Sequence, residues 1–412
     1  MLTSLRIRNF KAVADSRTVK LTPLTVFVGH NGTGKSSLIE ALELLQRYSR
    51  HGLDAALAPW YDFEHIQWKG AARQADSASP FFTHPLAIEL KGKSPEKLRW
   101  KLEWELGRLA EEAGKQPANS VATRKESFEV LSRFRRWRQF GKAAYETKQG
   151  DESLLKKLTG VRAEESLFPL DSTHGMDRWL FLSLDAGSIG QPYRRATRRG
   201  FRTLERTGSN LAEVLESFLQ EDSDGFNAMI DALRFIVPYA VDVTPETVRD
   251  MVESRSVFKL TENFAGKSSA QLPGWVLSGG TLRLLALLAA LRHPRGPEVL
   301  FVDEIENGLD PRAIGFVVEE IREAVQHGGK QVIATTHSPY LLDKLSLAHI
   351  VTVERPPGSP PVFRRPSEDA ELEKWSERFA PGALYTMGML RARSESGTKK
   401  SDPFPEVPRG GA

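Results

Sequence analysis

Between a short apolar run, Leu24 to Val28, and a segment of helical periodicity, Ser36 to Tyr48, the chain reads Gly29-His30-Asn31-Gly32-Thr33-Gly34-Lys35-Ser36. This fits G-x-x-x-x-G-K-[ST] and constrains the fold more than any other stretch, because the pattern needs a strand before it and a helix after it. Gly29, Gly32 and Gly34 permit backbone angles that turn several N–H groups toward one phosphate. A helix beginning near Lys35 adds the positive end of its dipole. Lys35 can then reach β- and γ-phosphates, and the Ser36 hydroxyl can ligate Mg²⁺. The flanks fit. LTVFV is apolar and β-branched, and Leu38, Ile39, Leu42 and Leu45 recur at helical spacing.

Elsewhere the pattern alternates between strand and helix. Leu5 and Ile7 share one face and Arg6 and Arg8 the other, which predicts a half-buried strand over 4–10. LAIEL and LRWKLEWEL, separated by KGKSPEK, predict a β-hairpin over 86–106. Residues 107–162 are polar and charged, with a helix expected from Lys125 to Lys148. RWLFLSL (178–184) returns to strand character, and helices are expected over 210–220 and 225–237. Buried strands are expected near 299–304, 331–337 and 349–354, with a helix from Pro311 to His327 between the first two. Strands alternating with helices imply a parallel α/β core. The last stretch, 394–412, is rich in Pro, Gly, Ser and charge and reads as a disordered tail.

Three further stretches carry chemistry. Val299-Leu300-Phe301-Val302 would deliver Asp303 and Glu304 to the C-terminal end of a buried strand, where open α/β sheets bind ligands. Asp303 can hold Mg²⁺, and Glu304 can orient and polarise a water. Leu277-Ser278-Gly279-Gly280-Thr281 opens an apolar helix that contains Arg283, a second anion cradle. One chain has little use for two cradles in cis, so this one suits a neighbouring subunit's γ-phosphate. Thr335-Thr336-His337-Ser338 ends a strand, and His337 can donate to a γ-phosphate.

Composition removes other classes. With Cys at 0, there is no thiolate nucleophile, disulfide or Cys-ligated metal site, and the 9 His show no HxxxH or HExxH spacing. Lys and Arg total 57 against 53 Asp and Glu, a net charge of +4, which rules out a wholly basic coat but not a local basic patch. The N-terminus has no apolar stretch of a secretory signal, and the longest apolar run, Leu284 to Leu291, is too short to span a bilayer. A soluble, cytoplasmic protein without a membrane partner is expected.

The residues LRIRNFKAV, FVGHNGTGKSSLIEAL, LSGGTLRLLALLAAL, FVDEIENGLDP and IATTHSPYLLD occur in the order found in ABC-type ATPases. The chain resembles the RecF/SMC/OLD branch of that family over roughly 1–50 and 270–355. The resemblance implies an α/β P-loop NTPase with an ABC-type ATPase core, an antiparallel N-terminal sheet and a helical insertion. It implies the cofactors ATP and Mg²⁺, with Gly29 through Ser37 on the phosphates and Ser36 with Asp303 on the metal. Glu304 would be the hydrolytic base and His337 the switch histidine. Ser278, Gly279, Gly280 and Arg283 would act on the other protomer's ATP, and Asp310 would cross the dimer interface. Asn9 and Lys11 are placed near the nucleotide. A Gln after a strand between the two halves is also expected, with Gln191 as candidate and Gln67 as runner-up. The signature has Thr281 where the commonest versions have Gln or Glu.

The implied layout is 1–106 and 271–355 as the two parts of the ATPase core, 107–270 as a helical insertion, 356–393 as an extension and 394–412 as the tail. No sustained heptads and no Toprim-like acids are legible. The expectation is therefore an ATP-driven head-to-tail homodimer or higher homo-oligomer, DNA-linked and serving phage defence or repair, with a separate effector such as a nuclease. The insertion (roughly 107–175) and the extension (356–393, with Trp375, Phe379 and Tyr385) would dock that effector, neither being needed for the nucleotide site. A transporter-type ATPase subunit and an ATP-stabilised scaffold are the alternatives. For DNA contact the segments to weigh are Arg124–Arg162, with 11 Lys/Arg and interleaved aromatics, and Arg194–Arg206, with six Arg.

Overall fold

In this computed structural model the described residues are 1–70, 84–93, 99–108, 121–131, 175–195, 203–249, 253–264 and 268–391. The first strands are β1 (Leu2–Phe10), β2 (Val13–Asp15), β3 (Val19–Lys20), β4 (Leu24–Val28), β5 (Leu86–Lys93), β6 (Arg99–Arg108) and β7 (Val121–Leu131). Then follow β8 (Trp179–Leu182), β9 (Tyr193–Arg194), β10 (Ala240–Arg249), β11 (Ser254–Phe264) and β12 (Ser268–Pro273). The last four are β13 (Val299–Val302), β14 (Gln331–Thr336), β15 (Ile350–Glu354) and β16 (Val362–Arg364). The longer helices are α1 (Lys35–His51), α2 (Leu211–Glu221), α3 (Ser223–Ile236), α4 (Gly279–Arg292) and α5 (Pro311–Gln326).

The central sheet runs β16-β15-β4-β14-β13-β8. Its strands are parallel except for β16 at the edge. Every residue of β4, β8, β13 and β14 is buried, which is why these strands read as unbroken apolar runs rather than alternating ones. The period-two pleat still sorts their side chains. Leu24, Val26, Val28, Leu300 and Val302 join a core with α2 to α5, whereas Phe27, Val299 and Phe301 face a core with α1 and the N-terminal sheet. Each such large side chain contributes about 1.5–3 kcal/mol by leaving water. Phe181 stacks on Phe301 at 4.5 Å between ring centroids, tying β8 to β13.

The N-terminal sheet, β2-β1-β5-β6-β7 with β3 also on β1, is antiparallel throughout. Buried Gln331 fastens it to the central sheet. Its Oε1 accepts from Leu2 N at 2.7 Å, and its Nε2 donates to Leu2 O at 2.8 Å and to Thr22 O at 3.0 Å.

Two expectations need correcting. Residues 125–131 are not helical but belong to β7, paired with β6 from Arg99↔Leu131 to Arg108↔Val121. The edge of β6 offers that segment a full hydrogen-bond ladder. In addition, buried Glu126 accepts from the Tyr48 hydroxyl, which a helix would redirect. The remainder of the expected helix, from 132 onward, lies outside the described residues. Nor is 107–270 a helical insertion only. It contributes β8 to the central sheet and a second antiparallel sheet, β10-β11-β12 with β9 on β11. Its boundary at 107 also falls inside β6. The expected tail, 394–412, lies outside the described residues.

Candidate functional site

β4 ends at Val28 and the chain enters the glycine loop. A Cβ on Gly29 would lie 2.1 Å from the Val353 carbonyl oxygen of β15, so the loop leaves the sheet by a route open only to glycine. Gly32 and Gly34 sit at φ 74° and 98°. Gly34 is the N-cap of α1 and offers no side chain to it, and the first turn of α1 holds no acid. The first N–H groups of this helix therefore meet no side-chain cap, and its own first turn brings no carboxylate to its dipole. Lys35 is 5% exposed, and its Nζ donates to Gly29 O at 2.8 Å and His30 O at 2.9 Å. Burial lowers its pKa, and the carboxylates of Asp303, Glu304 and Glu306 oppose that fall. Thr33 closes the turn through its hydroxyl on His30 O at 2.8 Å, while His30 and Asn31 are exposed. Ser37 is buried beside Ser36 in the first turn of α1.

β13 brings the acids to the same end of the sheet. Asp303 Oδ1 accepts from Ser36 Oγ at 3.0 Å and from Thr335 Oγ1 at 2.6 Å. Thr335 Oγ1 in turn accepts from Glu304 N at 2.8 Å. One threonine hydroxyl thus fixes both acids. Glu304 has φ 51°, a left-handed conformation that costs a non-glycine residue about 1–3 kcal/mol. His337 Nε2 lies 3.6 Å from Glu304 Oε1, and His337 N donates to Glu306 Oε1 at 2.5 Å. Glu306 Oε2 is buried without a hydrogen-bond partner among the described residues. A serine hydroxyl against a carboxylate oxygen is a hard-oxygen pair of the kind that suits Mg²⁺ with phosphate.

The signature turn is built differently. Ser278 caps α4 itself, its Oγ accepting from Thr281 N at 3.1 Å. A Cβ on Gly279 would come 3.1 Å from Ala186 Cβ, and one on Gly280 would come 2.8 Å from Gly308 O. The turn is therefore wedged between the loop after β8 and the loop after β13. Arg283 lies over Gly308 (φ 71°), where a Cβ would meet its Nη1, and donates to Leu184 O at 3.3 Å. Asp310 caps α5, its Oδ1 accepting from Arg312 N at 2.8 Å and Ala313 N at 2.9 Å. β8 and β4 are three strands apart in the sheet. At about 4.8 Å per strand they are about 14 Å apart, so this chain does not bring its signature turn onto its own glycine loop.

Other expected residues have different roles. Asn9 and Lys11 both have positive φ, 58° and 47°. Asn9 Nδ2 donates to Pro85 O at 2.9 Å, and Lys11 Nζ pairs with Glu40 of α1 at 2.6 Å. They shape the turn that lays Ala12 and Val13 against Gly34. Gln191 is exposed after the short helix Ala186–Ile189, and its side chain makes no hydrogen bond among the described residues. Gln67 is buried, bridges to Phe10 and donates to His84 O at 3.4 Å. Of the basic run, Arg194 pairs with Glu253 at 3.4 Å, Arg195 with Glu216 at 3.1 Å, and Arg206 with Glu43. Arg198, Arg199 and Arg202 lie outside the described residues, as does most of Arg124–Arg162.

The extension after β15 was expected to dock an effector and not to be needed for the nucleotide site; it packs on the glycine loop. Arg391 Nη2 lies 3.0 Å from His30 Nε2, the Tyr385 ring stands 6.3 Å from that of His30, and Pro361 Cγ would be 3.3 Å from a Cβ on Gly34. Sequence reading also passed over Thr335 and Glu306. Their signal was available: one sits two residues before His337 and the other two after Glu304. In the sequence Tyr385 reads as an aromatic of a docking surface and nothing marks Arg391, because their place beside His30 depends on the path of the extension.

Residues 24–343 match the model of the family described as "AAA domain, putative AbiEii toxin, Type IV TA system". ABC transporter G family member 1 of Petunia hybrida is 25% identical over 241 residues, covering 56% of this chain and 36% of that protein. The ATP/GTP phosphatase of Helicobacter pylori is 20% identical over 358 residues, covering 84% of this chain and 87% of that protein. The structure of an SmcHead bound to the C-winged helix domain of ScpA superposes with TM-score 0.52 at 14% identity, covering 90% of this chain and 99% of that one. The chain spans only 14–36% of the length of the plant transporters it matches. Among the described residues no helix is long and apolar enough to cross a membrane.

Proposed function

The chain belongs to this AAA-domain family and is a P-loop ATPase of ABC/SMC-like type, and on that premise we propose that two copies sandwich two ATP molecules head to tail. The supporting observation is the separation of two helix N-termini. The Gly34 end of α1 is uncapped and beside the acids, while the Ser278 end of α4 packs on the loops after β13 and β8, two and three strands from β4 in the sheet. A second copy, turned about a two-fold axis, brings its signature to the first copy's phosphates. Exposed Trp275 and Val276 next to one turn, and exposed Tyr340 near His337, supply apolar surface for that contact.

In this reading the N–H groups of Gly29 through Ser37, with His30, Asn31, Gly32 and Thr33, cradle the phosphates. Lys35 moves from the Gly29 and His30 carbonyls to the β/γ-phosphates. Ser36 and Asp303 would hold Mg²⁺, which when bound neutralises charge on the phosphates. Glu304 accepts the proton of the attacking water, and His337 donates to the γ-phosphate. Ser278, Gly279, Gly280 and Arg283 act from the partner copy, with Asp310 at the interface and Gln191 closing on the nucleotide from the loop after β8. Sedimentation tests the sandwich. Glu304→Gln protein should dimerise with ATP and Mg²⁺, and Lys35→Ala protein should stay monomeric. Monomers in both would overturn it.

The finer role is an ATP switch in phage defence or repair that is DNA-linked and read by a separate effector. The toxin–antitoxin description of the family supports the defence part. Turnover measured with and without duplex DNA tests the DNA link. A transporter-type subunit is the second reading, favoured by the identity with the Petunia protein. It requires co-purification with a membrane partner.

A further inference from the structure

The extension is fixed rather than loosely apposed. Leu384 and Leu390 are 0% and 2% exposed in the core that holds α4 and α5, and Gly382 N donates to Asp343 Oδ1 at 2.7 Å. Between these anchors the chain presents Tyr385, and directly after Leu390 it presents Arg391, to the glycine loop. A guanidinium has only donors, so His30 Nε2 accepts from Arg391 at 3.0 Å. Among the described residues Arg391 meets no carboxylate. Arg364 of the same region does have one, Asp369 at 3.6 Å, whereas Arg355 donates to Gly32 O of the same loop at 3.5 Å. An arginine without an anion is thus held against the exposed side chain of a phosphate loop.

The contact falls at a particular end of the loop. The His30 carbonyl is one of the two that accept from Lys35 Nζ. Burial raises the Tyr385 pKa, Arg391 lowers it and Glu306 adds to the rise. Glu306 also acts on Lys35 and bonds His337 N. Tyr385 and Arg391 therefore share one electrostatic neighbourhood with Lys35 and the acid loop, where the outermost phosphate would lie.

We propose that Arg391 contacts the terminal phosphate of bound ATP, supplied in cis by the C-terminal extension and passed from His30 Nε2 to the phosphate when nucleotide enters. This rests on reading Gly29–Ser37 as the phosphate site. It makes the extension part of the nucleotide site, so that the chain tells ATP from ADP before any second copy arrives. Five guanidinium donors suit a phosphate that presents several oxygens, and a charge-assisted pair adds affinity for that phosphate alone.

Calorimetric titration of the full chain with ATP and, separately, ADP, each with Mg²⁺, tests this. Arg391 is exposed, so Arg391→Ala should fold as the wild type does, and melting curves check that. Arg391→Ala should weaken ATP about tenfold and ADP by less than about twofold, and Arg391→Lys should recover part of the loss. An equal loss for both nucleotides, or no loss for either, would overturn the assignment. A wild-type chain that binds neither nucleotide would instead overturn the phosphate-site reading beneath it.

Discussion

The glycine loop before α1 and the signature turn before α4 begin from the same local chemistry, small residues at a helix N-terminus. They end in opposite states. Gly34, at φ 98°, leaves the first N–H groups of α1 without a side-chain cap, and the buried Lys35 there is folded back onto loop carbonyls. Ser278 caps α4 from within, and Arg283 covers Gly308 and reaches Leu184 O. The far end of α4 is closed too. There His293 is buried, accepts from Arg295 N at Nδ1 (3.1 Å) and stands 3.1 Å from Ser217 Oγ. One helix start is left unfinished until an anion completes it; the other is finished and offers a preformed surface. That difference is what a composite site between two copies requires.

The largest effects should come from the unfinished end. Glu304→Gln should keep ATP binding and cut turnover by about 10²–10⁴-fold, since an amide cannot take the proton of the attacking water. Stopped turnover together with lost binding would mean that Glu304 holds the loop and not the water. Lys35→Ala should lower ATP affinity by roughly 100-fold or more, because a buried cation facing the phosphates is lost. Equal affinity in wild type and variant, measured by titration, would remove the phosphate site.

At the two closed ends of α4 the effects should be on stability. His293 has its pKa lowered by burial to about 4, below its ordinary 6.5. Its folded form stays neutral while the unfolded chain takes up a proton as pH falls. The stabilisation is thus complete above pH 6.5 and is lost between 6.5 and about 4. The loss amounts to at most about 3 kcal/mol. Urea unfolding across that window should show it, and His293→Phe should flatten the slope; an unchanged slope would place the acid sensitivity elsewhere. Ser278→Ala should cost about 1 kcal/mol in the same assay, the value of a helix cap. Gly34 provides no such bond to lose. A Ser278→Ala chain as stable as wild type would erase the contrast between the two helix starts.

The unfinished end was the more legible of the two. Gly29 to Ser36, the strand ending in Asp303 and Glu304, and His337 each follow a local pattern, and the buried parallel strands carry them to the same end of the sheet. Legibility failed where long-range pairing decides. Residues 125–131 look helical by charge, yet the free edge of β6 and the Tyr48–Glu126 bond draw them into a strand. The antiparallel sheet of β10 to β12 went unread although Val243, Val257 and Leu260 are its buried side chains. The place of Arg391 follows from anchors such as Leu390 far along the chain, so no motif announces it. Half of the Arg194–Arg206 run proves to be paired with carboxylates, which spacing alone could not show.

The central claim is that one chain's Ser278 turn completes another chain's Lys35 loop. Turnover of Lys35→Ala protein mixed with Ser278→Arg protein tests it directly. Each variant alone should be inactive. A heterodimer holds one intact composite site, so random pairing at equal amounts should restore about a quarter of wild-type turnover. Mixed dimers that form, as verified by differently tagged chains, yet stay inactive at every ratio would contradict the account.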